Sequence, residues 1–177
     1  MIIGKRVRLR AIERADIPNF VRWLNDPEVR QFIQMYAPLS QASEEHWFEE
    51  HLSRKNDHVF CVEAHVGDEW VPLGNCGLHG IDWKNSVAVF GIVLGEKTHW
   101  GKGYGTDAAR TMVHFAFDTL NLHRVELEVY DFNPRAMRCY EKVGFRREGT
   151  RRQAHFVNGA YHDVHMMSIL REEAREL

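Results

Sequence analysis

The segment best equipped for chemistry is Trp100-Gly101-Lys102-Gly103-Tyr104-Gly105-Thr106. Its three glycines fall at alternate positions, which lets a main chain approach an anion without Cβ interference and adopt positive φ where a turn needs it. It lies between the apolar run Val87 to Leu94 and a stretch of helical periodicity. Its N–H groups can therefore converge at a helix N-terminus, an arrangement that favours phosphate. Spacing excludes two common nucleotide cradles. A P-loop needs serine or threonine after its lysine, and Lys102 is followed by glycine. A dinucleotide fingerprint needs two residues between its second and third glycines, and here only Tyr104 intervenes.

Other chemistries have weaker support. The eleven histidines include no His-Glu-x-x-His pair, and His162 and His165, three apart on an expected strand, should face opposite ways, so no metal site is expected. Cys61, Cys76 and Cys139 are widely spaced, which argues against a disulfide framework or a zinc-thiolate site and for a reducing, cytoplasmic setting. A net charge of -2 gives no global case for nucleic-acid binding; the cluster Arg146, Arg147, Arg151 and Arg152 reads as a solvated turn. No apolar run reaches the roughly 18 residues of a membrane span, so no membrane partner is expected.

These residues need elements to position them. Lys5 to Arg10 alternates as a half-buried strand. Ile17, Phe20, Val21 and Leu24 recur at helical spacing up to Asn25-Asp26-Pro27, and a second helix is expected from Ser43 to Arg54 with Trp47, His51 and Leu52 on one face. Strands follow at Val59 to Val66, Val71 to Leu78 and Val87 to Leu94, with a hairpin turn at Gly67-Asp68. Ala108, Met112, Ala116 and Leu120 mark a helix of about four turns. Arg124 to Tyr130 reads as a strand. Asn133-Pro134 caps a short helix that Gly144 closes, and Asn158-Gly159 joins strands Gln153 to Val157 and Tyr161 to Ile169. The order is β-αα-βββ-α-β-α-ββ in one domain, 1–177.

The apolar strand, the Gly-rich turn and the following helix resemble the acetyl-CoA-binding motif of GNAT acetyltransferases, Gln/Arg-x-x-Gly-x-Gly/Ala. Gly103 and Gly105 match it, and Trp100 replaces the usual Gln or Arg. A second block, Asn133-Pro134-Arg135-Ala136-Met137-Arg138-Cys139-Tyr140-Glu141-Lys142-Val143-Gly144-Phe145, is similar to the family's Asn-x-x-Ala-x-x-x-Tyr-x-Lys-x-Gly-Phe. The segment from Asn158 to Met167, with Val7-Arg8-Leu9-Arg10 and Asn25-Asp26-Pro27-Glu28-Val29, resembles the branch of ribosomal-protein N-terminal and spermidine acetyltransferases.

The resemblance implies an α/β (α+β) fold: one GNAT-type domain whose central mixed, mostly antiparallel sheet is flanked by helices. It implies acetyl-CoA as cosubstrate, held by Trp100 to Thr106 (Gly101, Lys102, Gly103, Tyr104 and Gly105 between them), by the backbone of Ile92, Val93 and Leu94, and by Asn133 and Arg138. Tyr140 matches the tyrosine placed near the CoA sulfur, where a phenol can protonate a departing thiolate. Relatives often carry a glutamate where Val89 stands, and valine accepts no proton; Asp82, Glu126, Glu128 or a bound water are the substitutes. The acceptor should be a primary amine, a peptide N-terminus first and a polyamine or other small amine second, a polyamine attracted by Glu28, Glu44, Glu45, Glu49 and Glu50. A non-catalytic acyl-CoA-binding module is the rival reading, and the family's habit of dimerising allows a homodimer.

Overall fold

One strand keeps two partners over only part of its length, and that shapes the whole molecule. Strand β5 (Val87–Leu94) pairs along its run with β4 (Glu69–Asp82), antiparallel, from Asp82↔Val87 to Gly74↔Leu94. On its other side it pairs parallel with β6 (Arg124–Tyr130) only from Val87↔Arg124 to Val89↔Glu126. Beyond Val89 the two strands part and leave a gap in the sheet. The computed structural model describes residues 1–174.

The remaining strands are β1 (Ile2–Ile3), β2 (Val7–Ala11), β3 (His58–Val66), β7 (Arg146–Val157) and β8 (Ala160–Leu170), giving the sheet order β1-β2-β3-β4-β5-β6-β8-β7. All neighbours are antiparallel except β5 and β6. The helices are α1 (Ile17–Leu24), α2 (Pro27–Arg30), α3 (Gln41–Ser53), α4 (Tyr104–His114), α5 (Pro134–Val143) and α6 (Arg171–Ala174).

Strand periodicity sorts the residues between two faces. Asn75, Gly77, His79, Val89, Gly91 and Val93 share one face with Val59 and Cys61 of β3, which α1 and α3 cover through Ile17, Phe20, Trp23 and Phe48. Leu78, Phe90 and Leu127 face the other way, against α4 and α5, where Ala108, Met112 and Tyr140 are buried with them.

Three expectations change. Arg146 to Arg152 is not a turn but the first half of β7, because the long β8 supplies partners from Val164 to Ser168. Its arginines then pair as strand side chains, Arg151 with Glu128 and Arg146 with Glu173. On α3 the buried residues are Glu44 and Phe48; Trp47 and His51 are half-buried beside them as expected, whereas Leu52 is exposed. The helix after the Gly-rich turn is regular to His114 and widens into a π-helical turn at Phe115–Thr119.

Candidate active site

The gap between β5 and β6 opens into a cavity of about 940 Å³. Ile92, Val93, Leu94, Trp100, Gly101, Gly103, Gly105, Thr106, Asn133, Arg138 and Tyr140 border it, so segments far apart in the chain meet as the sequence motifs require. Lys102 and Tyr104 do not border it. The Lys102 carbonyl accepts a hydrogen bond from Arg6 Nη1 at 2.5 Å, and Tyr104 is buried beneath that guanidinium, 4.7 Å from its ring centroid.

The Gly-rich turn has the backbone its composition calls for. Gly101 and Gly103 have φ of 75° and 88°, a region side-chain-bearing residues rarely adopt, and Gly103 is the N-cap of α4. A Cβ on Gly105 would lie 3.2 Å from Leu94 Cδ1, so glycine lets α4 close onto the end of β5. Asp107 in the first turn accepts from the backbone N–H groups of Arg6 and Val7 at 2.6 and 3.0 Å, which ties β2 to this helix end. Gly103, Gly105 and Thr106 at the start of α4 border the cavity, and a helix N-terminus with unpaired N–H groups can hold a pyrophosphate.

Trp100 does not present its indole N–H to an anion. Nε1 donates to the Leu94 carbonyl at 2.6 Å, closing the end of β5, and the ring face carries the Arg135 guanidinium at 3.9 Å from its centroid. Arg135 has no carboxylate partner among the described residues, and burial lowers its pKa. The sequence motifs do not single out Arg135; its only signal there is a cation two residues after the Asn133 cap, in the first turn of a helix that also borders the cavity.

On α5, the Asn133 side chain accepts from Ala136 N at 3.2 Å and caps the helix. Tyr140 packs edge-on against Phe90 and Phe145, with centroids at 6.3 and 5.9 Å. Burial pushes its phenol pKa up, so at neutral pH the group is a proton donor rather than a phenolate. Thr106 donates to Cys139 Sγ at 3.4 Å, locking α4 to α5 beside it.

Part of the cavity wall is aromatic. Phe32, Tyr130 and His155 border the cavity; Phe132 stacks on Phe32 at 6.0 Å and on Tyr130 at 5.4 Å, and Tyr130 stacks on His155 at 3.9 Å. Of the carboxylates considered as bases, Asp82 caps the turn to Lys84 and Asn85, and Glu126 pairs with Arg124. Glu128 alone borders the cavity, paired with Arg151.

Residues 6–146 match the family model described as "Acetyltransferase (GNAT) domain". The chain belongs to the GNAT acetyltransferases. It is 41% identical over 180 residues to the probable N-acetyltransferase YjcK of Bacillus subtilis, covering 96% of this chain and 97% of that one. It is 30% identical over 172 residues to the spermidine N(1)-acetyltransferase of Vibrio cholerae, covering 97% and 96%. A crystal structure of the spermidine N-acetyltransferase from Vibrio cholerae, in complex with CoA and spermine, superposes with a TM-score of 0.90 at 28% identity, covering 97% and 99% of the two chains. The protein is thus an acetyl-CoA-dependent N-acetyltransferase, and no helix among the described residues is long and apolar enough to cross a membrane.

Proposed function

We propose that this acetyltransferase acts on a polyamine-class primary amine, which enters between the aromatic wall and β5 and meets acetyl-CoA in the gap beyond Val89. One observation carries the reading: a single cavity joins the Gly-rich turn, the β5/β6 gap with Tyr140, and the aromatic wall of Phe32 and Tyr130. Ring faces attract ammonium groups by about 0.5–2 kcal/mol each. The full-length similarity to a spermidine acetyltransferase supports the same acceptor over the peptide N-terminus that the sequence places first.

In this reading Gly101, Gly103, Gly105 and Thr106 hold the pyrophosphate at the start of α4, with Arg135 adding charge. The freed edge of Ile92 to Leu94 hydrogen-bonds the pantetheine arm, and Asn133 and Arg138 border that arm from α5. Tyr140 holds the proton that the leaving sulfur needs. Acetyl-CoA supplies the activated acyl group; the protein binds, orients and moves protons.

A peptide α-amine stands second, and a specific observation favours it. The acids expected to draw in a polycation are largely engaged within the fold: Glu28 pairs with Lys97, Glu49 with Arg14 and Glu50 with Arg54, while Glu44 is buried, which raises its pKa. Thiol release from acetyl-CoA with spermidine and with short peptides bearing free N-termini separates the two. Turnover of peptides without spermidine contradicts the polyamine assignment.

A further inference from the structure

Acetyl transfer needs a group that takes the proton from the attacking nitrogen, and this group must stand on the acceptor side of the β5/β6 gap. Val89 is at the mouth of that gap, 42% exposed and chemically inert. Its cross-strand partner on β4 is His79, on the same face and also bordering the cavity. The imidazole leans along β4 over two glycines that face each other, Gly77 and Gly91: a Cβ on Gly77 would lie 3.1 Å from His79 Nε2, and one on Gly91 3.5 Å. Gly91 is the second residue of β5 past its last pairing with β6. The absence of side chains at 77 and 91 is thus what brings the ring over the start of the gap.

We propose that His79 is the proton acceptor of the reaction, positioned by β4 over Gly77 and Gly91 at the acceptor side of the cleft. This rests on the acetyl transfer proposed above. The other basic candidates bordering the cavity are less available: Glu128 is paired with Arg151, and His155 lies flat on Tyr130 with its Nε2 inaccessible. Burial lowers the His79 pKa, and Asp57 pulling it up and Arg54 pushing it down are smaller influences; His51 at the end of α3 is the other titrating neighbour. The ring is therefore neutral at pH 7 and able to accept.

In the first step the amine lone pair forms the new C–N bond as the carbonyl π pair moves to oxygen, and His79 takes the nitrogen's proton. The pair on oxygen then returns, the C–S bond breaks, and the sulfur takes a proton from Tyr140. One proton passing through solvent from imidazolium to tyrosinate resets both residues, leaving amide and CoA thiol.

His79→Gln should keep the wild-type unfolding midpoint and acetyl-CoA affinity while kcat with spermidine falls about 10²-fold or more. The acid limb of kcat/KM, with a midpoint below the ordinary 6.5, should vanish in that variant. Adding Val89→Glu, which places a carboxylate directly across from residue 79, should restore at least a tenth of the lost activity. Wild-type kcat in His79→Gln overturns the assignment, as does imidazole NMR of the free protein showing His79 protonated at pH 7. If no amine is turned over, the proposed acceptors fail, and the slow hydrolysis of acetyl-CoA by water decides on His79: a lower rate in His79→Gln upholds it and equal rates overturn it.

Discussion

The guanidinium of Arg135 lies 3.9 Å above the Trp100 indole, on a residue that stands where the family motif has Gln or Arg. In the proposed reading α5 supplies the polar side chain that position 100 lacks, with Trp100 as the platform and the Leu94 carbonyl, 2.6 Å from Nε1, as its anchor. Hydrogen bonds to charged groups contribute about 1.5–3 kcal/mol. Arg135→Ala should therefore weaken acetyl-CoA binding about tenfold or more by calorimetry with little change in unfolding midpoint, and Trp100→Ala should do the same while also loosening the end of β5. Unchanged affinity in Arg135→Ala would remove this residue from the anion site.

Gly103→Asp should abolish acetyl-CoA binding. The position has φ of 88°, and its Cβ would lie 3.1 Å from Arg6 Nη1, so the new carboxylate would sit strained at the N-terminus of α4 and occupy the place of the phosphate. Calorimetry with acetyl-CoA, run beside a thermal melt, checks this; a Kd near wild type contradicts the cradle.

Tyr140→Phe should spare acetyl-CoA binding and slow turnover at least tenfold, about 1.4 kcal/mol or more of transition-state stabilisation. The packing against Phe90 and Phe145 survives the change because only the hydroxyl is removed. A wild-type kcat would leave Tyr140 with packing alone.

Much of this site can be read from the chain because its residues obey local rules. Glycine at 101 and 103 answers to positive φ, Asn133-Pro134 to a helix start, and Gly144, with φ of 98°, to a helix end. What the chain alone conceals depends on pairing between distant segments. His79 is one more residue on a strand until the β4/β5 register sets it opposite Val89 and the glycines at 77 and 91 make room for its ring. The run Arg146 to Arg152 hides its alternation behind consecutive arginines, and only β8 makes it a strand. On α3, Glu44 and Phe48 turn inward because α1 packs there, which the weak apolar periodicity of that helix does not announce.

Two features of the fold make stability predictions. Arg10 bridges Asp16 at 2.7 Å and Glu63 at 2.8 Å, both carboxylates being nearly inaccessible. Arg10→Ala leaves Asp16 without a cation while Glu63 keeps Arg8, and should cost about 3 kcal/mol by urea denaturation. Burial raises the Asp16 pKa, but the Arg10 guanidinium and the Glu13 N–H outweigh it, and the net value is lowered from 3.8. The pair's stabilisation is therefore present above about pH 3.8 and lost as pH falls through the lower folded value, and Arg10→Ala should flatten that dependence.

Gly95 follows β5 directly, and a Cβ there would fall 2.0 Å from Trp23 Cγ. Gly95→Ala should destabilise by about 2–3 kcal/mol, a drop of roughly 5–10 °C in Tm by calorimetric scan. A melt at the wild-type temperature would mean that Trp23 can move aside without loss.

Acetyl-CoA-dependent thiol release across spermidine, spermine and short peptides with free N-termini, blanked for the protein's own cysteines, tests the central claim most directly. The polyamine-acetyltransferase reading predicts turnover with spermidine or spermine that depends on Tyr140. Acetyl-CoA binding without release of thiol for any polyamine would contradict it.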